Sequence, residues 1–347
     1  MVNYIILLYI RFLKAEKKYF FLFKKQTKNL LIQPQAAGIV GASAPGAGDP
    51  FINAGTVENK GIELGINFSD DFSDDFQFNA GFNFTVIDNE VTSLNGNLPP
   101  VGGEYGVGLS QTGISRMVVG LPLGYFHGYK TDGIYQTQAE IDALNANATA
   151  NDNVYHTDAQ PGDLKFVDTN NNGYIDDGDR TNIGDPIPEI TMGFNIGFSY
   201  KNIDFSANAF ASIGNDMIRD YERIDLFANR GTYMLERWQG TGTSNSVPRA
   251  SSGGSINTSI FNDFHVEDAS FVRLQNVQVG YSFNQNTLDK LGVSKFRIYV
   301  SGNNLVTITD YTGFDPSATN GSPLGGGIDK GFYPIAATYL LGVNLNF

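Results

Sequence analysis

The stretch that decides the fold is Phe76-Gln-Phe-Asn-Ala-Gly-Phe-Asn-Phe-Thr-Val86, in which apolar residues alternate with polar or small ones at all 11 positions. A period of two places one set of side chains on each face of a β-strand. Three further windows, 61–69, 192–200 and 277–283, repeat the pattern. Weaker strand signals lie near 19–33, 203–212, 295–305 and 335–347, with a less certain pair inside 101–132. The sequence therefore predicts an all-β fold of about ten antiparallel strands.

The polar face of these strands distinguishes two kinds of β protein. It carries Asn, Gln, Gly, Ser and Thr, whereas a soluble sandwich usually turns charged residues outwards. Such residues suit a water-filled or plugged lumen, with the Phe, Ile, Leu and Val face against lipid. An 11-residue strand also matches the ~9–11 residues of a tilted membrane strand. The pattern favours a transmembrane β-barrel portion, and the alternative is a soluble, secreted calcium-binding β-sandwich that binds glycans.

The connections between the predicted strands fall into two length classes. Short ones lie at 70–75, 201–202 and 284–294, and long ones at about 34–56, 87–100, 133–189, 213–267 and 306–334. From the carboxyl terminus backwards the two classes alternate. Outer-membrane barrels have this asymmetry, with short periplasmic turns and long extracellular loops.

Composition and charge exclude several functions. The net charge of −13 leaves no basic surface for the phosphates of nucleic acid. The absence of cysteine excludes disulfides and thiolate metal sites. The three histidines are too widely separated to show the spacing of a zinc site, and no nucleophile elbow or phosphate-binding loop is present, so we expect a protein that is not an enzyme.

The last nine residues form a one-sided strand that ends on an aromatic residue. Five of their side chains fall on one face, namely Tyr339, Leu341, Val343, Leu345 and Phe347. This pattern is typical of the carboxyl-terminal signal that outer-membrane assembly machinery recognises. The alternative is an ordinary final core strand.

Five motifs, in order along the chain, resemble the SusC/RagA family of TonB-linked outer-membrane transporters over residues 19–347. The motifs are Asn53-Ala-Gly-Thr-Val-Glu-Asn-Lys-Gly-Ile-Glu63, Gly128-Tyr-Lys-Thr-Asp-Gly-Ile-Tyr135, Gly162-Asp-Leu-Lys-Phe-Val-Asp168, Asp268-Ala-Ser-Phe-Val-Arg-Leu-Gln-Asn-Val277 and Gly302-Asn-Asn-Leu305.

The resemblance implies the barrel of a nutrient importer in the bacterial outer membrane. It also implies a SusD-like lipoprotein as an extracellular lid, and uptake of oligosaccharides or peptides driven by TonB. The chain has no counterpart of the family's TonB box, plug domain or early barrel strands, so contact with the TonB complex is expected only through that missing amino-terminal region. Residues 1–18 match nothing in the family, and we interpret them as a possible spurious start.

One loop has the spacing of a calcium site. Carboxylate, amide and backbone oxygens fall at positions 1, 3, 5, 7, 9 and 12 of a calcium loop, from Asp168, Asn170, Asn172, Tyr174, Asp176 and Asp179. Gly173 supplies the turn at position 6. Position 12 is Asp where a bidentate Glu is usual, and no clear helix precedes the loop. The alternative is a solvated Asn/Asp/Gly turn.

Aromatic residues in the long loops are candidates for stacking on sugar rings. The candidates for substrate binding are Tyr125, Phe126, Tyr129 and Trp238. The alternative for any one of them is an interfacial aromatic girdle or ordinary loop packing.

Overall fold

The computed structural model describes residues 16–32, 52–95, 101–105, 111–222, 229–251, 257, 260–319, 321 and 324–347. Residues 1–15, and with them most of the unmatched segment 1–18, lie outside these ranges. Eight long strands form one sheet, and they are β1 (Glu16–Ile32), β2 (Ile52–Ser73), β3 (Phe76–Leu94), β10 (Ile190–Tyr200), β11 (Ile203–Ile213), β14 (Phe271–Ser282), β15 (Lys295–Thr309) and β17 (Thr338–Asn346).

Nine shorter strands and two helices lie in the connections of the described chain. The strands are β4 (Val101–Tyr105), β5 (Gln111–Arg116), β6 (Tyr125–Gly128), β7 (Thr131–Ile134), β8 (Leu164–Phe166), β9 (Thr181–Gly184), β12 (Asp216–Arg219), β13 (Val266–Asp268) and β16 (Ile328–Asp329). The helices are α1 (Gln138–Asn147) and α2 (Gln285–Leu291). Neither is long and apolar enough to cross a membrane.

The long strands are hydrogen-bonded in the order β1-β2-β3-β10-β11-β14-β15-β17, and every neighbouring pair is antiparallel. The four alternating windows coincide with parts of β2, β3, β10 and β14, except that Phe283 lies one residue beyond β14, which confirms the antiparallel all-β prediction. The expected pair inside 101–132 joins a separate four-stranded sheet, β4-β5-β6-β9. The long sheet of the described residues therefore has eight strands where the sequence predicted about ten.

The register aligns the apolar residues of all the strands on one face of the sheet. Phe82 lies opposite Ile66 on one side and Phe194 on the other. A second row continues through β14 and β15, where Val279 lies opposite Val300. Because side chains alternate along each strand, these pairings make a continuous apolar surface.

This apolar face is open. Phe194 is 46% exposed, Val300 54% and Ile308 67%. A β-sandwich would bury such a face against a second sheet about 10 Å away. The sandwich alternative is therefore wrong for the sheet.

On the opposite face, asparagine amides lie over glycines of the neighbouring strands. Asn83 is placed between Gly65 and Gly193 in the register. A Cβ added at Gly81 would overlap the amides of Asn67 and Asn195. Small and amide-bearing residues thus alternate across this face, which is the polar surface predicted from the sequence.

Short turns lie at one end of the sheet and long loops at the other, as predicted, but β2 begins at Ile52 and β3 ends at Leu94, so strands occupy part of the predicted loops 34–56 and 87–100. Residues 34–51 of the first of these predicted loops lie outside the described ranges. Residues 74–75 join β2 to β3, and a two-residue turn with Lys201 in the left-handed region (φ 53°) joins β10 to β11. The third short connection contains α2, which Asn284 caps through its Oδ1 and the backbone N–H of Thr287, at 3.1 Å. The long connections span 95–189, 214–270 and 310–337.

The described residues of these three long connections pack together, and we call them the loop layer. Their main hydrophobic cluster takes Ile114 and Phe126 from the first connection, Ile218 and Phe261 from the second and Ile328 from the third. The three-stranded sheet β13-β12-β16 also combines the second and third connections. The loop layer has a buried core of its own.

Several contacts join the loop layer to the sheet, and two of them are made by buried side chains. Met117 packs against Val57 and Val91, which are buried at the long-loop ends of β2 and β3. Arg273 of β14 pairs with Asp315 in the third connection, with Nη2 and Oδ1 2.7 Å apart, and both residues are buried.

Candidate functional site

The loop layer buries three of the four aromatic residues predicted to bind substrate. Tyr125, Phe126 and Tyr129 are 3%, 0% and 5% exposed. The Tyr129 ring stacks on that of Phe166 with centroids 5.0 Å apart. A ring covered by protein offers no face to a sugar, so the structure corrects the prediction for these three residues in favour of its alternative, loop packing.

Trp238 is half-buried and differs from the other three. Its ring packs against the cluster that contains Tyr129 and Phe166. Its indole Nε1 donates to Oε1 of Gln136 at 3.1 Å. Gly162, at φ +91°, leaves room beneath the ring, because a Cβ there would lie 2.5 Å from Cε3 of Trp238. Substrate binding by Trp238 stays a prediction.

The loop at 168–179 draws its polar side chains into one network. The carboxylate of Asp168 accepts backbone N–H groups from Asn172 and Gly173 at 3.2 and 2.7 Å. The Nδ2 atoms of Asn170 and Asn172 face Asp176 at 3.5 and 3.0 Å. Gly173 has φ +92°, as a sharp turn at position 6 requires.

Asp179 has a different place from its predicted one. It is fully buried, and its Oδ1 accepts the backbone N–H of Thr169 at 2.8 Å while its Oδ2 accepts that of Asp176 at 2.8 Å. Its carboxylate therefore bridges the two ends of the loop. Across the described residues, no three His, Asp or Glu side chains are arranged to hold a metal ion. Amide and backbone oxygens would have to complete a site at Asp168, Asn170, Asn172, Tyr174 and Asp176.

A cavity of about 490 Å³ lies beside this loop, between α1 and the paired strands β7 and β8. Its lining includes Tyr155, Asp168 and the ammonium group of Lys165. Lys165 Nζ lies 3.3 Å from a carboxylate oxygen of Asp132 and 3.4 Å from one of Glu140. The cavity wall thus carries charges of both signs.

The histidines are held in their neutral form by the loop layer. Burial, followed by the charges of Arg116 and Arg180, lowers the pKa of His127 to about 4. Burial also lowers the pKa of His156 to about 4.

Buried ion pairs were missed by sequence reasoning. Asp163 is fully buried and accepts from Arg249 Nε at 2.7 Å and from Asn257 Nδ2 at 2.8 Å. Arg219 pairs with Glu267 at 2.7 Å. The partners are separated by tens of residues, so no local pattern in the sequence predicts these ion pairs.

The carboxyl-terminal strand lies at an edge of the described sheet. Tyr339, Leu341, Val343 and Leu345 pair with Gly302, Val300, Ile298 and Phe296 of β15, on the apolar face. Phe347 follows β17 and is 92% exposed. The residues predicted as an assembly signal therefore share one exposed face, although their recognition stays a prediction.

Comparison with known proteins identifies the group to which these features belong. No protein-family model matches the chain. A TonB-dependent receptor of Formosa agariphila is 34% identical over 313 residues, which cover 87% of this chain and 30% of the relative. The TonB-dependent receptor SusC of Bacteroides thetaiotaomicron is 32% identical over 298 residues, 85% of this chain and 27% of the relative.

Solved structures agree on the fold. A chain of the RagAB peptide transporter matches with a TM-score of 0.68 and 22% identity, covering 95% of this chain and 33% of that one. The same importer in its open-open state matches with a TM-score of 0.67. The chain belongs to the SusC-like TonB-dependent receptors and spans about a third of the length of the relatives it matches.

Proposed function

We propose that this chain forms part of the membrane barrel of a nutrient importer in the bacterial outer membrane. The observation that carries the proposal is the continuous, exposed apolar face of the eight-stranded sheet. In water such a face would be an aggregation site, whereas against lipid it is the expected outer wall of a barrel.

The height of the apolar face fits a bilayer. In β3 it runs from Phe76 to Val86. At ~3.4 Å per residue and a tilt near 40°, this length spans roughly 25 Å, the height of the apolar band of an outer-membrane barrel. Beyond it, on the same face of β2 and β3, Lys60 pairs with Asp88 at 3.0 Å. The first charged residues on this face therefore lie directly beyond the apolar band.

The loop layer then lies on the extracellular side. It is the part of the chain suited to meet solutes and an extracellular partner, because it is folded, polar and fixed to the strand ends by Met117 and Arg273. From the family resemblance we propose uptake of oligosaccharides or peptides with a SusD-like lipoprotein as lid, energised through TonB in the receptor as a whole; the names of the relatives support the TonB dependence and the peptides.

We also propose calcium as a ligand of the loop at 168–179. Asp168, Asn170, Asn172 and Asp176 are already drawn together there, and hard oxygens in this spacing are what calcium binds. Bound calcium would offset the repulsion between Asp168 and Asp176. Asp179 would hold the loop closed without contacting the ion.

Fractionation of cells that produce the protein tests the membrane proposal. We expect it in the outer-membrane fraction, released by detergent and not by carbonate or salt. Without heating it should migrate faster on gels than after boiling. Recovery in the aqueous fraction without detergent would refute the proposal.

A further inference from the structure

The side chains of Arg116, Tyr125 and His127 share one face of the sheet β4-β5-β6-β9 in the loop layer, and Arg180 directly precedes β9. Arg116 of β5 is the cross-strand partner of Tyr125 of β6, and His127 lies two residues further along β6. His127 pairs with Asn182 of β9, two residues after Arg180. Since alternate residues share a face, Arg116, His127 and Arg180 lie on the same side. The T-shaped contact of the Tyr125 and His127 rings, with centroids 6.0 Å apart, agrees with this arrangement.

Each of the three nitrogen-bearing side chains keeps a buried nitrogen without a hydrogen bond. The atoms are Nε of Arg116, Nδ1 of His127 and Nε of Arg180. Buried polar atoms are normally hydrogen-bonded, so three unpaired nitrogen atoms on one face need an explanation. In contrast, Arg249 and Arg273 each have a carboxylate partner at 2.7 Å.

The local charge is positive in a strongly acidic protein. Arg180 pairs with Asp177 at 3.0 Å, and its guanidinium carbon lies 5.2 Å from the centre of the Tyr129 ring. Asp177 is exposed, and its Oδ1 also accepts from the Tyr129 hydroxyl at 3.2 Å. Arg116 makes no ion pair with any residue in the described parts of the chain. One guanidinium charge is therefore uncompensated, and neutral His127 adds none.

We propose that Arg116, His127 and Arg180 form a site for a single oxyanion, a carboxylate or sulfate, carried by the solute. The planar guanidinium of Arg116 presents paired N–H donors that match two oxygens of such a group. His127 can donate from Nδ1, and Arg180 adds a second positive charge. The assignment of the oxyanion to a solute rests on the proposed role in uptake, whereas its binding is measured on the isolated protein.

The test uses the detergent-solubilised protein and a matched pair of probes. D-Galacturonate and D-galactose have the same ring and differ by the carboxylate, and ionic strength is held constant with sodium chloride. Trp238, the single tryptophan, reports binding by fluorescence because it packs in the cluster that contains Tyr129. We expect a saturable response to galacturonate, a similar response to sulfate, and none to galactose.

Three variants separate the site from general charge effects. Arg116→Gln should weaken galacturonate binding by at least about tenfold, the loss expected for a charged hydrogen bond. Arg116→Lys should keep part of the affinity, which also guards against misfolding of the first variant. Lys130→Gln removes an exposed charge from the same segment and should leave binding unchanged.

Three outcomes would overturn the proposal: equal responses to the two sugars, wild-type affinity in Arg116→Gln, or loss of affinity in Lys130→Gln. Galacturonate binding by a protein that fractionates without detergent would keep the anion site and refute the membrane role alone.

Discussion

The eight-stranded sheet and the loop layer place their apolar side chains in opposite ways. The sheet exposes its apolar side chains and keeps amides and glycines on its other face. The loop layer buries aromatic residues, including Phe126 and Phe166, and with them fully buried carboxylates such as Asp163 and Asp179. The two faces of the sheet suit lipid and water respectively, whereas the surface of the loop layer suits water alone.

The difference teaches where each kind of interaction is decisive. Backbone hydrogen bonds between neighbouring long strands pair the N–H and C=O groups of the inner strands at any membrane depth, so their side chains need only match lipid or lumen. The loop layer has strands of two to six residues, and it depends on buried ion pairs and clusters for its order. The effect of a substitution on stability should therefore depend on which face of the strand it occupies in the sheet, and on whether it removes a buried interaction partner in the loop layer.

The largest expected effect is at the pair that joins the two regions. Asp315→Ala leaves Arg273 buried without its carboxylate, which should destabilise the attached loop by roughly 3–5 kcal/mol. Limited proteolysis should then cut within 310–337 while the long strands stay protected. Asp310→Ala, at an exposed acid of the same loop, is the control and should change nothing.

The same pair predicts a pH dependence. Burial alone would raise the pKa of Asp315, but hydrogen bonds from Ser317, from the backbone N–H of Ile335 and from Arg273 lower it from 3.8 to about 2. A carboxyl with a lowered pKa in the folded state stabilises at neutral pH, and this contribution is lost as the pH falls from about 4 to about 2. The acid-induced loss of protection should therefore be smaller in Asp315→Asn. An unchanged pH profile in that variant would contradict the pairing.

In the sheet, neighbouring positions of β3 should respond oppositely to the same change. Phe82→Lys places a cation on the lipid face and should cost roughly 2–4 kcal/mol of stability in the membrane. Asn83→Lys should be tolerated, because Asn83 lies between Gly65 and Gly193 on the polar face. The amount of heat-modifiable protein in the outer membrane measures both. Equal tolerance would contradict the assignment of the faces.

A smaller, local effect is expected at the calcium loop. Chelation should raise protease cleavage between about residues 160 and 185, because close carboxylates then repel each other without a cation. Asp168→Ala should copy the chelated state and abolish the response to chelator. Asp179→Ala should open the loop even with calcium, because its role is to accept the backbone N–H groups of Thr169 and Asp176.

Asp142→Ala, at an exposed position of α1, is the control for the calcium experiment and should keep the response to chelator. A cleavage pattern that ignores chelator in the unaltered protein would leave a plain Asn/Asp turn.

The smallest effect on stability, though not on assembly, is expected at the last residue. Phe347 is 92% exposed, so deleting it removes little packing. We nevertheless expect less protein in the outer membrane, since the one-sided strand that ends there is predicted to be an assembly signal. Phe347→Tyr keeps the aromatic ring and should assemble normally. Unchanged surface amounts after deletion would show that the residue has no such role.

The sheet could be predicted from the sequence because the alternation of apolar and polar residues can be read within a single strand. Alternation over Phe76–Val86 sets the strand and its faces together, although β3 continues to Leu94, and the register with β10 follows by aligning like faces. The strands of the loop layer, such as β16 with two residues, are too short to show a period. The start of α1 does have a signal in the sequence, because the Thr137 hydroxyl caps the helix and Glu140 follows three residues on.

The candidate site could be predicted only in part, for the same reason. The loop at 168–179 is continuous in sequence, so its turn was visible, but the role of Asp179 depends on which N–H groups its carboxylate meets. The burial of Tyr125 and Tyr129 depends on other connections folding over them. Arg116 and Arg180 lie 64 residues apart and meet only through the pairing of β5, β6 and β9.

Cysteine scanning of β3 tests the central claim most directly, because the chain has no cysteine of its own. Single cysteines at positions 78, 79, 82, 83, 84 and 85 would carry a fluorescent label in membranes that contain brominated lipid. We expect brominated lipid to quench the label at 78, 82 and 84, and aqueous iodide to quench it at 79, 83 and 85. Quenching that does not alternate between the two sets would contradict a sheet with one face to lipid and one to water.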